Sequence, residues 1–386
     1  MKIKDLKIRV VDVPAPGSLD KSPVKSNNSG DLLEQEFEGD THKNKKITTQ
    51  IVVVTAVSET GLEGHGFGWG TKGGMRLGYT IAEVFRPEII GADVDFREQL
   101  WQTAHKVDRL GGLASFNSYG PVDVALWDLA AKSVNKPLYK FIGAYRNKIR
   151  AYASSPFLSS PEEYVELANK AKSEGFTAFK LHPPGEPDLD IECCRAVRRS
   201  VGKDMELMID PVGGAYDHSD AIKVGRALES LDFLWFEEPL FDHDIHGLEM
   251  LTSKLDIPIL AGEWNSDFFS KVVYLKTNAC DVMRADVSWT GGVTGTLKTA
   301  HLAESFGMNC ELHMTVLSLM DIANLHVGLS IKNCRYIELP YPDGATFGIT
   351  NPIKPNRDGY IEAPTMPGLG VMLNNAEIEE NTVIEL

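Results

Sequence analysis

After Gly143 the chain repeats one unit, a short β-prone run, a polar loop and an amphipathic helix, at intervals of about 25 residues. The β-prone runs are IRAYASS, TAFKLH, MELMID, DFLWFEE, IPILAGE, CDVMRAD, MNCELH and RYIELP. Between them lie helical segments such as PEEYVELANKAKSEG, SDAIKVGRALESL, IHGLEMLTSKL and GTLKTAHLAESFG, whose apolar residues recur at three and four. A helix after each strand returns the chain to the same end, so the strands are parallel. Eight such strands predict a (β/α)₈ barrel, with a doubly wound open sheet as the competing architecture.

What distinguishes this alternation is where its ionisable residues fall. Strand two ends in Lys180 and His182, strand three in Asp210, strand four in Glu237, strand five in Glu263, strand six in Asp286, strand seven in His313 and strand eight in Glu338. The C-terminal rim of a parallel barrel is where active sites are built. Any one of these acids is equally well read as the first polar residue of a loop or as a helix N-cap. Glu238 and Asp217 are alternative ligands, and a lone His313 reads first as a satisfied buried histidine. Together on one rim, they favour a function.

Asp210, Glu237 and Glu263 on three adjacent strands would crowd three carboxylates, which cannot all stay ionised without a cation. An oxygen-only donor set selects a hard ion, Mg²⁺ before Zn²⁺. Asp286 and His313 end neighbouring strands, as a carboxylate that orients an imidazole requires. His182 approaches from the other side. Two acid/base groups flanking a carboxylate held by an ion describe abstraction of the proton α to that carboxylate.

The first third reads as an α+β module: KIKDLKIRVVDVP and TTQIVVVTAVSETGLEGHGFGWG are β-prone, and GPVDVALWDLAAKSVNKPLYKFIG is helical. Between the β-prone runs, Ala15 to Lys46 is a polar insertion that reads as a lid over a site. Its Lys21, Lys25, Lys43, Lys45 and Lys46 are candidates to meet a distal carboxylate, against the plainer reading of a solvated loop. GLEGHGFGWG does not open a helix as a dinucleotide fingerprint must, so it is read as strand and tight turn, and no nucleotide-binding site is expected. The net charge of −15, from 39 basic and 54 acidic residues, argues against nucleic acid or an anionic membrane as partner. Five cysteines without C-x-x-C spacing read as reduced thiols, and no signal peptide or apolar span is visible, so a cytoplasmic enzyme is expected.

LMIDP, LWFEEPL, ILAGEW, DVMRADVSWTGGVTG, NCELH and RYIEL, in that order, resemble the mandelate racemase subgroup of the enolase superfamily. The resemblance covers most of the chain. It implies a modified TIM barrel, (β/α)₇β, with an α+β capping domain, so that 1–135 form the cap, 136–345 the barrel, and 346–386 return to the cap. It further implies Mg²⁺ on Asp210, Glu237 and Glu263, a His313–Asp286 dyad, and Glu338 near the substrate carboxylate. Two positions depart from the pattern. His182 stands where a second lysine is common, exchanging an amine for an imidazole, and Val212 replaces an asparagine.

The resulting expectation is a Mg²⁺-dependent dehydratase of a sugar acid, aldonate or aldarate, that yields a 2-keto-3-deoxy acid. His182 or the His313–Asp286 dyad supplies the base, with His182 as base and His313 as acid preferred, and Lys180 is expected either to contact the substrate carboxylate or to lower the pKa of His182. A racemase or epimerase of an α-hydroxy acid, using His182 and His313 on opposite faces, is the alternative; a non-catalytic binding protein is the third reading. Arg284 should point the same way as Asp286, either to support the carboxylates or to pack the barrel. The expected partner is a small-molecule carboxylate, and the protein is expected to be a homo-oligomer.

Overall fold

The computed structural model describes residues 1–13, 49–70, 73–107, 117–265, 267–314, 317–342 and 344–386 in full, together with the backbone of 14, 47–48, 71, 108–111 and 116. The insertion Ala15 to Lys46, expected to be a lid, lies outside the described residues.

Eight parallel strands close on themselves: β4 (Lys148–Phe157), β5 (Ala178–His182), β6 (Glu206–Ile209), β7 (Trp235–Glu237), β8 (Ile259–Ala261), β9 (Val282–Ala285), β10 (Asn309–Leu312) and β11 (Tyr336–Pro340), with β11 pairing back onto β4. Closure excludes the doubly wound alternative. A helix is described after each of the first seven strands: α3 (Pro161–Ser173), α4 (Pro187–Val201), α5 (His218–Ser230), α6 (Ile245–Lys254), α7 (Phe268–Thr277), α8 (Gly292–Ser305) and α9 (Leu319–Ser330). Among the described residues, β11 is followed instead by the short strand β12 (Tyr360–Glu362), which runs antiparallel to the start of β4. The barrel is therefore (β/α)₇β.

Apart from β4, the observed strands are shorter than the β-prone runs, so most site residues stand at or just beyond a strand end, while Lys180 and Glu338 are the third residues of β5 and β11 and sit deeper. Outward residues such as Phe179, Leu181, Ile209 and Phe236 pack on the helices. The lumen is floored by Tyr152, Ala178, Met208, Trp235, Leu260 and Tyr336, whose rings meet edge to face. Because strand side chains alternate with period two, Lys180 and His182 follow Ala178 up the lumen, and Asp210 follows Met208.

The cap is a four-stranded antiparallel sheet ordered β13-β1-β2-β3, with β1 at Ile3–Pro14, β2 at Ile47–Ser58, β3 at Glu63–Thr71 and β13 at Thr382–Glu385. Arg9 pairs with Glu385 across β1 and β13, so the last strand of the chain completes the first sheet. Helix α1 (Arg97–Gly111) precedes helix α2 (Gly120–Ser133), which lies on β3. The glycines of GLEGHGFGWG make that approach possible: a β-carbon on Gly66 would stand 2.0 Å from the carbonyl oxygen of Pro121, and one on Gly64 2.2 Å from that of Ala125. Among the described residues, no helix is long and apolar enough to cross a membrane. All five cysteines are buried free thiols.

Candidate active site

The C-terminal mouth of the barrel gathers the acids of β6, β7 and β8. One oxygen from each of Asp210, Glu237 and Glu263 lies within 4.8 Å of the others, and all three residues are buried. Burial and the negative charges of Asp210 and Glu237 push the Glu263 carboxyl up to about 7, against the opposing pull of His313 and Arg284. Asp210 is held below the ordinary carboxylate range: burial works against its ionisation, and Lys180 and His182 outweigh burial. A set of crowded, all-oxygen donors with one member held partly protonated is a set that a hard divalent cation relieves, so the residues present fit such an ion.

Two imidazoles flank this cluster. The His182 Nδ1–H donates to the Ser155 carbonyl at 2.6 Å, since a carbonyl can only accept, and its Nε2 faces Asp210 Oδ2 at 3.2 Å. On the other side the His313 Nδ1–H donates to Asp286 Oδ2 at 2.8 Å, and its Nε2 faces Glu263 Oε1 at 3.3 Å. Burial disfavours the His313 cation, but the charge of Glu263 and the hydrogen bond that His313 donates to Asp286 prevail and raise it to about 9. Each ring is thus fixed at Nδ1 and presents Nε2 toward the carboxylates.

Beneath them lies a counter-charge layer. Lys180 is fully buried, and its Nζ is 3.1 Å from Asp210, 3.1 Å from Glu237 and 2.9 Å from Glu338. Arg284 reaches Glu237 at 2.8 Å and Glu338 at 2.6 Å, and donates to the Tyr152 hydroxyl at 3.1 Å. Lys180 and Glu338, both expected near the substrate carboxylate, are thus joined to each other and to the neighbouring acids and Arg284. Of the two readings of Arg284, the structure shows support of the carboxylates.

The alternative ligands take other parts. Glu238 turns away with φ of 39° and accepts the backbone N–H groups of Gly262 and Glu263 at 2.7 and 2.9 Å, bracing the loop that carries Glu263. Asp217 caps α5 by accepting the N–H groups of Ser219 and Asp220. Val212 has φ of 61°, a conformation that β-branched residues rarely adopt, and its N–H donates to Asp210 Oδ1 at 2.8 Å.

Sequence reasoning missed two features. Asn324 in α9 donates to Asp286 Oδ1 at 3.0 Å and to the His313 carbonyl at 2.9 Å, and it accepts the Val287 N–H at 3.0 Å. Its signal was a polar residue inside the apolar helix LMDIANLHVGLS. The second is an aromatic wall: Trp264, directly after Glu263 and half exposed, packs on Trp289 at 5.1 Å, which in turn meets Trp69 of β3 at 5.8 Å. Phe157 lies beside His182 at 5.6 Å.

A closed (β/α)₇β barrel with an antiparallel cap carries at its mouth three acids that could hold a metal ion, flanked by two imidazoles. Residues 163–377, more than half of the chain, match the enolase C-terminal domain-like family, and residues 42–143 match the mandelate racemase / muconate lactonizing enzyme N-terminal domain. The chain belongs to the enolase superfamily, in the mandelate racemase family. It is similar to the arabinonate dehydratase of Saccharolobus solfataricus, 28% identical with 86% of this chain and 90% of that protein covered. It is also similar to the N-succinyl-L-Arg/Lys racemase of Bacillus cereus, 24% identical over 80% of this chain and 82% of that one. Among solved structures, D-glucarate dehydratase from Agrobacterium tumefaciens complexed with magnesium superposes with a TM-score of 0.83 at 32% identity, covering 100% of both chains.

Proposed function

We propose that the protein is a Mg²⁺-dependent dehydratase of a sugar acid. The observation that carries this reading is the pair of imidazoles on either side of the carboxylate cluster, each locked at Nδ1 with Nε2 turned inward. Asp210, Glu237 and Glu263 would hold the ion, which when bound supplies positive charge where the substrate carboxylate gains negative charge. His182 Nε2 takes the proton from C2, its Nδ1–H remaining on the Ser155 carbonyl. His313, held as a cation beside Asp286, gives its Nε2 proton to the departing C3 hydroxyl, so water leaves and the C2–C3 enol remains. Tautomerisation of that enol gives the 2-keto-3-deoxy acid. The tryptophan wall offers ring faces to the C–H side of a sugar chain.

The sugar-acid dehydratases among its relatives support elimination; the racemase among them supports the second reading, in which the same two histidines exchange protons on opposite faces. A library of aldonic and aldaric acids, assayed with Mg²⁺ for keto-acid release by semicarbazide, tests the proposal. Elimination predicts a subset of productive acids. Exchange of the C2 proton with solvent across the library without keto acid would instead assign the racemase.

A further inference from the structure

At the opposite, N-terminal end of the barrel an open cleft of about 310 Å³ is lined by Arg146, Lys148, Arg150, Lys332 and Arg335, with Tyr336 and Tyr360. Five cations share this cleft in a chain of net charge −15. None of them makes an ion pair with a carboxylate among the described residues, whereas the buried cations at the catalytic mouth are each matched to acids. Five gathered like charges, with Glu311 as a buried carboxylate beneath Arg335, keep a net repulsion that a bound anion relieves.

The cleft is also built rather than merely decorated. Arg146 is fixed by donating to the carbonyls of Ile331, Lys332 and Cys334 at 3.0, 2.8 and 2.6 Å, which holds the turn carrying Lys332 and Arg335; its buried Nε has no partner. Lys148 and Arg150 are two apart on β4 and so share the side that continues into the lumen through Tyr152. Tyr360 of β12 organises both: Arg150 Nε donates to its hydroxyl at 3.0 Å, and Lys148 Nζ lies 4.7 Å from its ring centre. Arg335 lies against the ring of Tyr336 at 5.9 Å. Of the nearby acids, Glu362 accepts from Asn356 at 3.2 Å, and the buried Glu311 accepts the backbone N–H groups of Arg335 and Tyr336 at 3.0 and 3.1 Å, so its carboxylate is taken up by the main chain beneath the cleft. Guanidinium forks match phosphate and carboxylate oxygens, and at a share of about 30 Å³ per water the space exceeds a single inorganic ion.

We propose that this cleft is a second ligand site, for a small polyanion carrying phosphate or clustered carboxylate groups. It is independent of the chemistry assigned to the catalytic mouth. Isothermal titration of the full chain with Mg²⁺ present, using glycerol 3-phosphate as phosphate ester and tricarballylate as polycarboxylate, tests it and separates the two sources. Lys148→Gln with Arg335→Gln, both exposed and outside the catalytic machinery, should weaken binding of the preferred probe at least tenfold. Lys4→Gln with Lys7→Gln, the same charge change in the cap, should leave it unchanged, and added salt should weaken it in the wild type. Binding that survives the cleft substitutions, equal losses from the cap substitutions, or no binding of either probe would overturn the assignment.

Discussion

Asn324→Leu isolates the step from packing to catalysis. Asn324 is fully buried in α9, and its three hydrogen bonds fix the Asp286 carboxylate, the His313 backbone and the Val287 N–H. Leucine fills a similar volume and satisfies none of them. Two bonds to neutral groups at about 1 kcal/mol each and one to a carboxylate at about 2 put the loss near 4 kcal/mol. With about 2.1 cal/mol/K per residue over 386 residues, the unfolding entropy is about 0.8 kcal/mol/K, so the midpoint should fall by about 5 °C. The freed Asp286 no longer holds the imidazole in one orientation, and kcat should fall by about 10- to 100-fold with KM within about threefold. Calorimetry and steady-state kinetics read the two effects separately. A lowered melting point with unchanged kcat would refute the claim that Asn324 positions the dyad.

Three other outcomes follow from the same geometry. Lys180→Met leaves Asp210, Glu237 and Glu338 buried without their shared cation and should cost about 3–5 kcal/mol in urea unfolding; an unchanged midpoint would mean that Lys180 does not balance them. Restoring Mg²⁺ to chelated protein at about 100 times its Kd should add about 2.7 kcal/mol, roughly 3 °C, and Asp210→Asn should abolish the gain; an equal gain in the variant would place the ion elsewhere. His326, buried between the Tyr139 N–H and the Leu369 carbonyl, is pushed by burial from 6.5 to about 4. The unfolded chain therefore binds the extra proton between those values, so stability is full above about pH 6.5 and about 3 kcal/mol of it is lost as pH falls to 4. His326→Gln should flatten that slope, and an unaltered pH profile would contradict it.

The period-two and period-3.6 patterns carried the barrel and placed its ionisable residues at one mouth, because both depend only on local spacing. Depth was not local. Lys180 and His182 share a strand face, yet one is sealed among three carboxylates and the other stands at the rim, a difference fixed by the acids of β6, β7 and β11. Glu237 and Glu238 are adjacent, and only the backbone turn at Glu238 separates the acid in the cluster from the one bracing its loop. The tryptophan wall joins the cap strand β3 to two barrel loops, and β13 closes the sheet of β1; both contacts span most of the chain, beyond any pattern read along it.

The central assignment, His182 as base and His313 as acid, is tested most directly by following His313→Asn in D₂O with a productive sugar acid. The account predicts that C2 deuterium exchange continues, because His182 and its Ser155 partner are untouched, while keto-acid release is lost. Keto acid formed at the wild-type rate, or exchange lost together with elimination, would contradict it.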